Sequence, residues 1–252
     1  MSIFHLETLD GKVALVTGAA RRIGAAISEE LHAAGARVAV HYHGSGNDAH
    51  KLVEALNEVR ANSAIALMAD LKTDEGPNEL IDSVLSWAGR LDILVNNAST
   101  FYPTPLGEVD ISGWEDLLGS NLRAPMFLAQ AAAPHLQAVS GNIVNLVDIH
   151  ACKPLRNYPV YCAAKAGLAM LTRSLAKELA PCVRVNGVAP GAIAWPETGM
   201  SDSVKKNIVS QIPLGKAGEP ADIANAVLFL VRDATFVTGQ IIPIDGGRSI
   251  GW

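Results

Sequence analysis

The chain has 252 residues, 49% hydrophobic and 18% charged, which is enough to bury one large core. Its net charge of −5 and pI near 5.8 leave no basic footprint for nucleic acid or an anionic membrane. No apolar run approaches the roughly 18 residues that span a bilayer, and the opening MSIFHLETLDGK lacks a basic leader before an apolar stretch, so a soluble, cytoplasmic protein is expected.

The first apolar run, KVALVT at 12–17, reads as a buried strand and opens into TGAARRIG at 17–24. Gly18 permits a tight turn, Gly24 permits a helix to lie close on a sheet, and the amino end of that helix offers N–H groups and partial positive charge to a pyrophosphate, with Arg21, Arg22 and Ile23 alongside. Arg22 stands where a middle glycine is usual, so taken alone the stretch also reads as an ordinary strand-to-helix turn with exposed arginines. The second strand, RVAVHY at 37–42, runs into HYHGS, with no Asp or Glu to accept from a ribose 2′-hydroxyl. Arg21, Arg22, His43 and Ser45 could instead donate to a 2′-phosphate, each such bond being worth about 1.5 to 3 kcal/mol; NADPH is therefore expected as the preferred cofactor, with NADH tolerated.

The third strand, AIALMA at 64–69, is followed by Asp70 and Leu71 where an adenine edge would lie. The fourth, DILVNN at 92–97, leads into NNAS and sets Asn97, Ala98 and Ser99 at the cofactor crevice. The fifth, NIVNLV at 142–147, ends on a carboxylate, Asp148; His150 beyond it is expected to be a loop histidine without a role, the alternative being contact with substrate or a hydrogen bond to Asp148. In YPVYCAAKAGLAM, Tyr161 and Lys165 stand one helical turn apart on the same face. A free phenol has a pKa of about 10, and a neighbouring ammonium favours its anion, so the pair could exchange a proton near neutrality. Alone, the pattern also describes a helix with an exposed Lys and a half-buried Tyr. The three cysteines, Cys152, Cys162 and Cys182, have neither zinc-site nor disulfide spacing and are expected to be small buried residues; no metal is expected. After the sixth strand, VRVNGV at 183–188, the prolines and glycines of PGAIAWPETGM break the rhythm, and the irregular piece at 190–218 is expected to be a substrate lid. The helix EPADIANAVLFLV and a last strand in QIIPIDGG at 240–247 close the chain.

Strands apolar on both faces, alternating with amphipathic helices, imply a parallel sheet covered on both sides. With no linker or repeat in view, the expectation is an α/β fold: one Rossmann-like, doubly wound parallel sheet flanked by helices, a single domain over 1–252.

TGAARRIG, NNAS, SNLRAP, YCAAK, VRVNGVAPG and IDGG fall in the order and spacing of the short-chain dehydrogenase/reductase family, which the chain resembles over nearly its whole length. That family usually places a serine thirteen residues before the active tyrosine; here that position is Asp148. A carboxylate beside a developing alkoxide would be repulsive, which disfavours simple ketone reduction and suits a ring that carries N–H donors and needs protons at imine nitrogens. On this point, and in TGAAxR, HYH and NNASTFYPTPL, the sequence is similar to the pteridine reductase branch. Gly44 departs from that branch's protozoan members, which carry Arg or Asn there.

The resemblance implies a catalytic set of Asp148, Tyr161, Lys165 and Asn121, with Asn121 supporting a water path to Lys165. It implies that Phe101 stacks on a pterin, that Ser99 and Arg22 reach pterin and cofactor phosphates, and that Tyr158 lines the pocket; the AWPETGM loop departs from the branch, and Trp195 in it is expected as a further wall. Pro190, Gly191 and Ile193 would border the nicotinamide, and Lys165 would hold its ribose. The substrate would be a pterin or folate and the assembly a homotetramer. The rivals are a carbonyl reductase acting on a 3-oxoacyl or sugar ketone, and a protein that binds NADP without turnover.

Overall fold

The computed structural model describes residues 8–193 and 201–250. In chain order the elements are β1 (Val13–Val16), α1 (Arg22–Ala33), β2 (Arg37–Tyr42), α2 (Gly46–Val59), β3 (Ala64–Met68), α3 (Gly76–Ala88), β4 (Ile93–Asn96), α4 (Ile111–Leu118), α5 (Ala124–Ala138), β5 (Asn142–Leu146), α6 (Pro159–Glu178), β6 (Arg184–Pro190), α7 (Asp202–Ser210), α8 (Pro220–Leu228) and β7 (Ile241–Ile244). The strands form one parallel sheet in the order β3-β2-β1-β4-β5-β6-β7, in agreement with the fold expected from sequence.

Side chains alternate across a strand, so a run apolar at every position must have cover on both faces. That is what these strands meet. Ala14 and Val16 of β1, Val38 and Val40 of β2, and Ile93 and Val95 of β4 pack into one core, beneath α1 and α8. Val13 and Leu15, Ala39, and Leu94 point the other way, into a core shared with α3, α5 and α6. Removing a side chain such as Leu15 or Leu94, both fully buried, would cost about 2 to 5 kcal/mol.

The strand order reverses beside β1: the chain moves outward through β2 and β3, then returns to place β4 on the other side. In an open parallel sheet, that reversal leaves a crevice beyond the carboxyl ends of the strands. A buried polar ladder fixes its far wall. Asn96 of β4 donates to Asn145 of β5 (2.8 Å), which donates to Thr172 of α6 (2.9 Å), so α6 is tied to the middle of the sheet.

The expectation that all three cysteines are buried fails at two of them. Only Cys162, on the inner face of α6, is buried; Cys152 and Cys182 lie in loops at opposite ends of that helix and are exposed.

Candidate active site

A cleft of about 900 Å³ opens along the carboxyl ends of the strands. It is lined by Gly18, Arg21, Arg22, Ile23, His43, Ser45, Asp70, Leu71, Asn97, Ala98, Ser99, Phe101, Asp148, Tyr158, Tyr161, Lys165, Pro190, Gly191 and Ile193, so the predicted site residues converge there with two exceptions. Trp195 lies outside the described residues. Asn121 is fully buried behind the wall and does not face the cleft.

The turn between β1 and α1 is tight because two glycines leave no room for anything larger. Gly18 is left-handed at φ +59°, and a Cβ there would stand 2.8 Å from the Ala98 Cα; a Cβ on Gly24 would stand 2.4 Å from the Gly18 carbonyl oxygen. Arg22 is also left-handed, at φ +54°, which costs a non-glycine residue about 1 to 2 kcal/mol. The missing middle glycine therefore leaves the backbone path unchanged and the arginine strained.

Thr17 and His41, not foreseen in the sequence, hold this turn together with Asn97. The Thr17 hydroxyl accepts from the N–H groups of Asn97 (2.9 Å) and Ala98 (3.0 Å), while the Asn97 side chain donates to the carbonyls of Thr17 (2.8 Å) and Gly18 (3.0 Å). Asn97 thus clamps the turn with its amide. His41, buried on β2, accepts the Gly18 N–H at Nδ1 (3.1 Å), so its Nε2 carries the proton toward the Ala69 carbonyl (3.2 Å). Burial lowers its pKa to about 4, which keeps the ring neutral.

At the cofactor rim, carboxylates stand near two of the proposed phosphate donors. Arg21 lies 3.6 Å from Asp48, in the first turn of α2, and His43 lies 3.8 Å from Asp70. HYHGS itself has no acid, but α2 brings one to the same corner.

The chemical end is set by β5 and α6. The Tyr161 hydroxyl donates to Asp148 Oδ2 at 2.8 Å, and the His150 backbone N–H donates to Asp148 Oδ1 at 2.8 Å, so both carboxyl oxygens act as acceptors. His150 takes the second of its two expected readings: it is buried, lines the cleft, and hydrogen-bonds Asp148 through its backbone while its Nδ1 sits 2.8 Å from the Lys153 carbonyl. The ordering of the phenol also differs from expectation. Burial first, and then the charge of Asp148, push the Tyr161 pKa well above its ordinary value, so the hydroxyl is a held proton and not a standing anion. Lys165 is buried, donates to the Leu146 carbonyl at 2.8 Å, and lies 5.7 Å from the centre of the Tyr161 ring. Burial lowers its pKa to about 8, against the opposing pull of Asp148.

Asn121 sits in a π turn, Gly119–Arg123, between α4 and α5. Its amide donates to the carbonyls of Thr100 (2.9 Å) and Leu117 (3.0 Å), and its oxygen accepts from Ser99 at 2.7 Å. It therefore positions Ser99 and the Phe101 loop, and the described hydrogen bonds of Lys165 do not run to it. Phe101 stacks on Tyr158, with ring centroids 4.6 Å apart and planes 13° apart, and meets Tyr161 edge-on at 4.8 Å. Such contacts are worth about 0.5 to 1.5 kcal/mol each beyond burial and hold the aromatic wall in place over the acid–phenol pair. In the segment expected to be a substrate lid, residues 194–200 lie outside the described ones, and α7 sets Val204 and Ile208 against the cleft.

A family model described as enoyl-(acyl carrier protein) reductase matches residues 18–249. Pteridine reductase 1 of Leishmania tarentolae is 40% identical, over 94% of this chain and 96% of that one. A 3-oxoacyl-(acyl-carrier-protein) reductase of Staphylococcus epidermidis is 38% identical, over 94% of this chain and 98% of that one. The crystal structure of a blue fluorescent protein from a metagenomic library, in complex with NADPH, superposes with a TM-score of 0.90 at 35% identity, over 96% of this chain and 99% of that one. With the dinucleotide turn, the Tyr161–Lys165 pair and these likenesses along nearly its full length, the chain belongs to the short-chain dehydrogenase/reductase family of oxidoreductases.

Proposed function

We propose that the protein is an NADPH-dependent pteridine reductase, reducing a dihydropterin, an oxidised pterin or dihydrofolate. The observation that carries this reading is the 2.8 Å bond from Tyr161 to Asp148 beneath the edge-on ring of Phe101. A flat nitrogen heterocycle can stack on Phe101 while offering ring N–H groups to the carboxyl and an imine nitrogen to the phenol. A ketone would meet a second acceptor where it needs a donor.

The cleft fits the cofactor by its shape and donors: a glycine turn closed against Ala98, the amino end of α1, and the side chains of Arg21, Arg22, His43 and Ser45 at the ribose corner. Asp48 and Asp70 at that corner temper the preference, so NADH is used less well but not refused. When bound, NADPH supplies the hydride, to C6 or C7 of the ring. Lys165 would hold the nicotinamide ribose, Pro190, Gly191 and Ile193 would border the nicotinamide, and Tyr161 would turn its hydroxyl from Asp148 to the ring nitrogen and give up its proton there, regaining one from solvent, while the freed carboxyl oxygen accepts from a ring N–H. Ser99 and Arg22 orient the polar edge of the pterin.

The second reading, a carbonyl reductase, has a specific observation in its favour, the 38% identity to the staphylococcal 3-oxoacyl reductase. NADPH oxidation measured in parallel with dihydrobiopterin, dihydromonapterin, dihydrofolate and acetoacetyl thioester separates the two. Turnover of at least one pterin or folate well above the thioester is expected; turnover of the thioester alone would establish the rival, and NADPH binding without oxidation of any would leave a sensor.

A further inference from the structure

The chain places a guanidinium in the substrate end of the cleft that the motifs give no hint of. Arg248 follows the IDGG stretch, lines the cleft, and is only 9% exposed. Its position is built by its neighbours. The Asp245 carboxylate accepts from the N–H groups of Gly247 (2.9 Å) and Ser249 (2.7 Å), and the Arg248 N–H donates to the Asp245 carbonyl (3.2 Å), which folds residues 245–249 into a tight turn. Gly246 and Gly247 are left-handed, and a Cβ on them would stand 2.7 Å from Ile212 and 3.0 Å from Pro213. The glycines thus let the turn press on the segment that follows α7, and the next side chain is directed inward, where it lies within 3.5 Å of the Gln211 side-chain oxygen. Burial lowers the pKa of the guanidinium, against the opposing pull of Asp148, the acid that holds Tyr161, and of Asp245.

We propose that Arg248 is a specificity residue that selects pterins bearing an anionic substituent, a carboxylate at or near C6, over those with a neutral one. The inference rests on the pteridine reductase reading. If the carbon that receives hydride lies against Tyr161 and Asp148, a group attached to it extends along the same wall, toward Arg248. There it meets a buried guanidinium, which an anionic group satisfies better than a neutral one. A planar guanidinium also matches a carboxylate with two parallel N–H donors, where a lysine would offer a point charge.

The test is direct binding of two fluorescent pterins, 6-carboxypterin and 6-hydroxymethylpterin, to the NADP+-loaded enzyme, read by quenching of their emission. In the unaltered protein the carboxylate should bind about tenfold to a hundredfold more tightly, the worth of one charge-assisted pair. Arg248→Met should abolish that preference and Arg248→Lys should restore part of it. Equal affinity for the two pterins in the unaltered protein, or an Arg248→Met loss equal for both, would overturn the inference while leaving the pteridine reading intact. If neither pterin binds, the pteridine reading fails and this inference falls with it. The comparison in the unaltered protein decides the matter even if Arg248→Met does not fold.

Discussion

A phenol whose proton is held by a carboxylate and a lysine stripped of solvent make a site in which each group depends on its neighbours. Phe101 should contribute mainly to holding the ring. Phe101→Ala is expected to raise the pterin KM about twofold to tenfold, the worth of one aromatic contact, with a smaller change in kcat; an unchanged KM would remove the stacking role. Lys165 makes a claim on stability that can be separated from catalysis. Its folded pKa of about 8 lies below the ordinary value of 10.5, so between those values the unfolded chain holds more protons than the folded one. Stability from this group must then rise with pH from about 8 toward 10.5, by an amount on the order of 3 kcal/mol. Urea unfolding of the unaltered protein and of Lys165→Met at pH 7.5 and pH 10 checks it: the unaltered protein should gain on the variant as pH rises, and parallel behaviour would mean that the ammonium is not desolvated. The placement of Asp148, Tyr161, Lys165 and Phe101 in one cleft was legible because each sits in a motif of fixed spacing. Arg248 and His41 were not, because nothing in the local pattern says that a side chain after a strand or within it points into a shared cleft.

At the scale of elements, the strands were readable because their runs are mostly apolar on both faces, and their observed limits differ from the sequence reading by no more than three residues, β2 matching at both ends and β7 stopping three residues early. The π turn at Gly119–Arg123 was not, since one extra residue in a helix leaves the hydrophobic period nearly intact on either side. Its cause is visible only in three dimensions: Asn121 turns its side chain into the helix and across to Thr100, which takes hydrogen bonds that a regular helix would keep for itself. The β1–α1 turn gives the sharper test at this scale. Arg22 occupies a left-handed conformation that glycine adopts without strain, so Arg22→Gly should leave folding intact or raise stability by up to about 1 kcal/mol in urea. The same change should raise the KM for NADPH, because it removes a cation from the cofactor corner. A clear loss of stability would show that contacts of the Arg22 side chain outweigh its backbone strain.

For the molecule as a whole, a parallel sheet with a crevice at its point of reversal gathers residues from the turn after β1 through the turn after β7 into one site. The fold follows from the pattern of apolar strands and the family from its motifs, whereas the relatives include both a pteridine reductase and a ketoacyl reductase at nearly equal identity, so the proposed choice of substrate rests on one side chain. That side chain is Asp148. The most direct measurement is the ratio of kcat/KM for a dihydropterin to that for acetoacetyl thioester, taken in the unaltered protein and in Asp148→Ser. The ratio should strongly favour the pterin in the unaltered protein and fall in the variant, with pterin turnover down by more than about tenfold, as loss of a charge-assisted hydrogen bond requires. A ratio that is unchanged by the substitution, or one that favours the thioester from the start, would contradict the assignment of the acid to a nitrogen heterocycle.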